Sequence, residues 1–274
     1  MDKIKVIEQT ITGKKSQAEC EDGLVVNDRF VAVIDGSTSK TETKLNGNIS
    51  NGRYCMELIK RYIDGMSADI GMETFCAGVT EYVREACISE GADMQRLQLN
   101  PAERATASAI VYSVKRKQIW MVGDCQCIAD GEYHDNGKPD ESRLAAERSK
   151  FLKHALSNGA SVENIQTDDC GRKHIQKELK KSCNGQNVTY AVIDGFEIPL
   201  DKVKVIDVRQ PDKGIILASD GYPFLKNTLE ESETALTGQL TDDPLCIGTF
   251  KATKGLMKGN KSFDDRCYIK FIAI

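Results

Sequence analysis

Four apolar, β-rich runs in this chain end on an aspartate: "VAVID" at Asp35, "IWMVGD" at Asp124, "YAVID" at Asp194 and "IILASD" at Asp220. Two acidic sites invert the order and precede such a run, Glu21–Asp22 in "ECEDGLVV" and Asp264–Asp265 in "FDDRCYIKF". A carboxylate at the lip of a buried strand is costly unless something compensates it. The run "GIILASD" is almost continuously apolar, so its strand needs cover on both faces. Acids from six separate segments therefore need either separate solvation or a shared partner.

The strand-like segments crowd toward the two ends. Residues 24–35 read as a hairpin turning at Asn27–Asp28, and residues 105–124 as a second one turning in the basic "KRK" of 115–117. The opening "MDKIKVIEQTITG" reads as a first strand, and the final "RCYIKFIAI" as a last one with Lys270 facing out near an edge. Helices fill the gaps. Tyr54, Leu58 and Tyr62 share one helical face; Phe75, Val79, Tyr82 or Val83, and Ala86 share another. Asn227 with Glu230 offers a capping box for a helix carrying Leu229 and Leu236. The polar stretch from about 134 to 187 contains a helix expected to stop at Gly159 and reads as an insertion into one domain spanning 1–274.

A net charge of −4 argues against non-specific nucleic-acid binding, which depends on Lys and Arg neutralising phosphates. The basic run "RKHIQKELKK" (172–181) reads as a solvated helix face. No apolar run approaches the ~20 residues that span a bilayer, so no membrane association is expected. The ten cysteines include no CxxC pair and read as free core residues in a reducing cytosol, which implies a cytoplasmic protein. His134, His154 and His174 all fall in the polar middle and read as surface residues.

An aspartate followed by glycine after a strand is first of all a turn signal. Several such carboxylates converging on one rim would repel one another and raise one another's pKa. Mg2+ or Mn2+ relieves that repulsion, since both prefer carboxylate, carbonyl and water ligands. Two ions sharing a carboxylate can activate water and clamp phosphate oxygens.

The order of these acids resembles that of the metal-dependent serine/threonine protein phosphatases of type 2C. The stretches that carry the resemblance are "ECEDG", "VAVIDG", "RATASAIVY", "IWMVGDCQC", "IILASDGYPF" and "DDRCYIKF". It implies an α+β four-layer sandwich, two antiparallel sheets flanked by helices, with residues 134–187 as a helical flap beside the active site. It also implies hydrolysis of phosphoserine or phosphothreonine in a phosphorylated protein substrate, through a hydroxide bridging two Mn2+ or Mg2+ ions. On that resemblance Asp35 would bridge both ions, the Gly36 carbonyl would hold one, and Asp220 with Asp264 would hold the first. Glu21 would approach the second through water, Asp22 would bond to metal-bound water, and Asp124 would stand where some members bind a third ion. Asp194 matches no ligand position and reads as a strand and turn.

The chain departs from the pattern at three places. Ser37 replaces the histidine often proposed to protonate the leaving group, Phe224 replaces a second aspartate after Asp220, and Gln17 stands where an arginine binds phosphate. Lys14 or Lys15 could supply that cation with looser geometry. These departures keep a second reading open, a pseudophosphatase that binds a partner without turnover. A third reading, an aspartyl-nucleophile phosphohydrolase opening at "VIDGST", lacks the second aspartate its chemistry needs, because Ser37 occupies that place.

Overall fold

The computed structural model describes residues 3–274. Ten strands form two five-stranded sheets in which every pairing is antiparallel. The first sheet runs in the order β1 (Ile4–Thr12), β10 (Arg266–Ala273), β9 (Ile215–Ala218), β6 (Gln126–Ala129), β7 (Glu132–Asp135). The second runs β2 (Asp22–Val26), β3 (Phe30–Gly36), β4 (Ala107–Ser113), β5 (Gln118–Val122), β8 (Lys204–Asp207). The expected pair of antiparallel sheets is thus present.

Strand alternation divides the core into layers. Val31, Val33, Ile110, Tyr112 and Met121 of the second sheet meet Ile215, Leu217, Ile269 and Phe271 of the first in the space between them. The opposite face of β3 and β4 carries Ala32, Ile34, Ala109 and Val111 against α1 (Asn51–Gly65) and α2 (Met72–Ser89). The outer face of the first sheet packs Ile216, Ala218 and Tyr268 on Tyr222, Leu225 and Leu229. There α7 (Leu229–Asp242) is fixed by Glu233, which accepts from both Nε and Nη2 of Arg266 at 2.7 and 2.8 Å. All four residues of β9 are buried, as its apolar run requires.

Local signals explain most boundaries. Asn27 Oδ1 accepts from the N–H groups of Arg29 and Phe30 at 2.9 and 2.8 Å, which closes the first hairpin. Ser50 caps α1 by accepting from Arg53 N at 3.3 Å. One cap reading differs by one residue. The α7 cap is Thr228, not Asn227: its Oγ1 accepts from Glu231 N at 3.2 Å and donates to Glu231 Oε2 at 3.0 Å. Both "NTLE" and "TLEE" carry the motif, and the second wins because Leu229 then starts the helix facing Tyr222 and Leu225.

Lys270 lies one strand in from the edge: β10 is paired on both sides, and β1 is the edge strand. Its side chain lies on the outer face and donates to the Asn227 carbonyl at 2.8 Å. The second "AVIDG" contributes no strand either. Only Ile193 pairs, exchanging two hydrogen bonds with Ala107 at 2.9 and 3.0 Å, before a turn at Gly195 with φ +81°.

The polar middle is helical, comprising α4 (Glu141–Ser157), α5 (Val162–Thr167) and α6 (Cys170–Ser182); α3 (Met94–Leu99) lies before β4. α4 ends where expected: Gly159 has φ +93°, Ala160 N bonds Ala155 O at 3.0 Å and Gly159 N bonds Leu156 O at 3.1 Å. Arg148 of α4 is fully buried and donates to Asp169 and to the carbonyls of Leu245 and Ala252. The insertion is therefore tied to a distant loop, residues 244–255.

Candidate metal centre

Antiparallel pairing explains how acids at opposite strand ends meet. Asp22 opens β2 and Asp35 lies near the end of β3, yet the two are register partners, and Asp35 also faces Ser108 of β4. Asp124 follows β5 on that same rim. In the first sheet, Ala218 pairs with both Tyr268 and Gln126, so Asp220 just beyond β9 and Asp264 just before β10 share the facing rim. The inverted motifs are thus a consequence of strand direction.

Carboxylate oxygens of Asp35, Asp124 and Asp220 lie within 4.8 Å of one another. Burial, followed by the charges of Asp124 and Asp264, pushes Asp220 up to about 7. Burial, then Asp220 and Asp22, likewise raises Asp35 well above the usual carboxylate range. Asp22 is raised chiefly by burial, although the Ser219 hydroxyl donates to it at 2.6 Å and opposes the shift. Repelling, desolvated carboxylates of this kind fit a hard divalent cation.

Two neighbouring acids are compensated by lysines. Burial pushes Asp264 up, but Lys254 and Lys14 outweigh it and hold the carboxyl below its ordinary value. At Asp124 the Lys138 ammonium and the Ser108 hydroxyl likewise overcome burial. Lys14 Nζ stands 3.0 Å from Asp265, 3.3 Å from Asp264, 3.4 Å from Glu21 and 3.2 Å from Thr38 Oγ1. Glu21 also accepts from Ser50 Oγ at 2.6 Å, which anchors it to the start of α1. Gly36 packs backbone to backbone there: an added Cβ would lie 2.5 Å from the Gly52 carbonyl oxygen.

Above the acids lies a cavity of about 110 Å3. Its floor holds Asp35, Asp124, Asp220 and Asp264, and its walls carry Lys40, Lys138, Arg172 and Lys254 together with Asp140 and Glu141. The insertion contributes Leu144 and Leu179 to the lining, and Tyr190 follows just beyond it.

Of the residues expected from sequence, Asp22, Asp35, Asp124, Asp220, Asp264, Glu21, Gly36 and Lys14 gather at this rim. Lys15 does not; it pairs with Glu19 at 3.1 Å, both side chains being largely exposed. Gln17 turns back to accept from Gly13 N at 3.3 Å. Ser37 lines the cavity, and its Oγ accepts from Lys40 at 3.0 Å. Phe224 packs edge-on against Phe250 with centroids 6.1 Å apart and is not part of the cavity wall.

Asp194 is a structural acid. It is buried and bonds Arg104 at 2.9 Å, Asn187 Nδ2 at 2.8 Å and Phe196 N at 3.0 Å. No histidine lines the cavity. Sequence reasoning missed Lys138, Arg172 and Lys254. Arg172 was hidden in the run read as a solvated face; it sits in the first turn of α6, its N–H bonded to the Asp169 cap at 2.8 Å.

No protein-family model matches the chain, and no curated protein matches it. Among solved structures it is similar to PppA, described as a key regulatory component of T6SS in Pseudomonas aeruginosa, at 13% identity over 99% of this chain and 98% of that one, TM-score 0.49. The catalytic domain of the serine/threonine protein phosphatase PstP in complex with two manganese ions is similar at 14% identity over the whole of both chains, TM-score 0.48. Serine/threonine phosphatase Stp1 from Staphylococcus aureus is similar at 13% identity over 100% of this chain and 97% of that one, TM-score 0.47. Likeness at this level assigns no residue and no chemistry, and the functional reading rests on the site itself.

Proposed function

We propose that this chain is a divalent-metal-dependent phosphatase acting on phosphoserine or phosphothreonine in a protein substrate, in a reducing cytoplasm that keeps its ten cysteines free. The observation that carries the reading is the convergence of Asp35, Asp124 and Asp220 within 4.8 Å, under a cavity with cationic walls. Those three carboxylates would hold one Mn2+ or Mg2+ ion. A second ion, taken by Asp35, the Gly36 carbonyl and Glu21 with Asp264 nearby, would have to displace Lys14. Ions so bound supply Lewis-acid charge and lower the pKa of water.

The chain's own groups divide the remaining work. Ser219 orients Asp22 through the 2.6 Å hydrogen bond and itself accepts from Cys267 N at 2.9 Å, so this acid of the second sheet is braced by the first. Ser50 and Thr38 orient Glu21. Ser37 stands at the cavity in place of a histidine, so substrates with good leaving groups are favoured.

A specific observation supports the second reading, a pseudophosphatase. Lys14, Lys138 and Lys254 already neutralise part of the acidic floor. Phosphate release from para-nitrophenyl phosphate, with and without Mn2+, by the wild type and Asp220→Asn separates the two. Manganese-dependent release lost in the variant supports the enzyme. A folded wild type that releases none, yet retains a phosphopeptide, supports the binding protein.

A further inference from the structure

Four cations face the cavity, and they fall into two kinds. Lys138 and Lys254 lie against Asp124 and Asp264. Lys40 and Arg172 have no carboxylate partner among the described residues. The Lys40 ammonium donates only to neutral oxygens, Ser37 Oγ at 3.0 Å and the Thr38 carbonyl at 3.1 Å. Arg172 donates through Nη1 to the Thr253 carbonyl at 3.0 Å and to Thr253 Oγ1 at 2.8 Å. Those bonds fix the plane of the guanidinium and leave its Nε and Nη2 edge uncommitted.

A charge withdrawn from water without a counter-ion is expensive, and proteins keep such charges where a ligand supplies the opposite sign. The energetic trace is consistent: burial drives Lys40 down to about 8, with Lys138, Arg172 and Lys254 adding repulsion. Burial also lowers Arg172, and the more distant charges of Asp264, Asp169 and Glu141 offset it only in part. The two residues arrive from different segments, Lys40 from the loop between β3 and α1 and Arg172 from the insertion, and both line the space above Asp35, Asp124 and Asp220. A tetrahedral oxyanion suits this pair, since the arginine fork takes two oxygens and the lysine acts as a point charge.

We propose that Lys40 and Arg172 form the phosphoryl-binding subsite of this cavity, in place of an arginine at the position of Gln17. The assignment rests on the phosphatase reading for its substrate, but the subsite itself is an oxyanion site and is measurable without turnover. Gln17 cannot fill the role from where it stands, with its side chain turned to the Gly13 N–H. The subsite also makes the insertion part of substrate binding, because Arg172 reaches the cavity only while α6 is docked.

The test is calorimetric titration of inorganic phosphate into the Mn2+-loaded full chain, for the wild type, Lys40→Met, Arg172→Met and Lys40→Arg. Each neutral variant should weaken phosphate binding about tenfold or more, the worth of one charge-assisted hydrogen bond, while Lys40→Arg recovers most of the loss. Mn2+ affinity, measured separately, should stay within about twofold, since neither residue touches a candidate ligand carboxylate. Lys40 lies on a loop and makes only the two bonds above, so Lys40→Met remains informative if Arg172→Met does not fold. Phosphate binding unchanged in the neutral variants, or absent from the wild type, overturns the subsite. If wild type releases no phosphate from para-nitrophenyl phosphate but the variants lose phosphate affinity, the subsite stands and the catalytic reading fails. If turnover proceeds with KM unaltered in both variants, the catalytic reading stands and the subsite fails.

Discussion

Lys14 holds Asp265 at both ends of its carboxylate: the backbone N–H donates to Oδ1 at 2.7 Å and Nζ to Oδ2 at 3.0 Å. The same ammonium reaches Asp264 and Glu21, so one lysine offsets three acids. The charges of Asp264, Glu21 and Asp265 raise its pKa against the lowering effect of burial. Lys14→Met should therefore destabilise the metal-free chain by roughly 3–5 kcal/mol, the range for removing one partner of a buried pair. Saturating Mn2+ should restore most of that loss by filling the vacated place. Thermal melts with and without Mn2+, together with a count of bound metal per chain, check this. A variant that melts like the wild type without metal would show that the acids do not depend on Lys14.

Arg148 and Asp169 make the corresponding test of the insertion. The guanidinium is fully buried, bonds Asp169 at 2.7 and 3.1 Å and satisfies the carbonyl of Leu245 at 2.8 Å. Arg148→Met removes the cation and strands both the acid and the carbonyls. We expect a loss of about 3–5 kcal/mol and faster proteolytic cutting between residues 134 and 187. If only the cutting changes, with the global denaturation midpoint intact, the insertion opens as a separate unit.

Much of the fold was legible because it is local. Nearly unbroken runs of apolar and small residues mark β3, β4 and β9, and Ser50, Asn27 and Gly159 punctuate the ends. The acids of the candidate site were legible too, since each sits at one end of such a run, after it or just before it. What was hidden is long-range. Lys138, Arg172 and Lys254 lie in polar sequence with no periodic signal, and only the docking of the insertion on residues 244–255 brings them to the cavity. Asp194 misled in the opposite way: its sequence repeats that of Asp35, yet its partner Arg104 lies 90 residues away, and nothing local in the chain announces the pair.

The Asp194–Arg104 pair carries a pH signature. Burial outweighs the arginine and holds the Asp194 carboxyl at about 6 against an ordinary 3.8. The folded chain therefore keeps a proton that the unfolded chain has released, so this group's contribution is largest at low pH. It declines as pH rises between about 4 and 6, by roughly 3 kcal/mol, and is flat above that. Asp194→Asn removes the titration. Denaturation in urea at about pH 4 and pH 7 should show the wild type losing stability relative to the variant as pH rises. Parallel behaviour of the two proteins would mean that Arg104 keeps the carboxyl ionised throughout.

Among the described residues, Lys138 is the one cation of the insertion that pairs directly with a proposed metal ligand, Asp124. Burial lowers its pKa, but Asp124 and Glu141 outweigh burial and hold it well above the ordinary lysine value. A divalent ion among Asp35, Asp124 and Asp220 competes with this ammonium for the same carboxylate. Two consequences separate competition from mere structural support. Lys138→Met should bind Mn2+ about tenfold more tightly, an effect of one partly screened unit charge, and the gain should shrink as salt is raised. In the metal-free state the same variant should release the insertion from the rim and expose residues 134–187 to faster proteolysis. Unchanged or weaker Mn2+ binding would place the ion away from Asp124, leaving Asp35 and Asp220 to hold it with other ligands. Tighter binding with no change in proteolysis would show that Arg148, not Lys138, keeps the insertion docked.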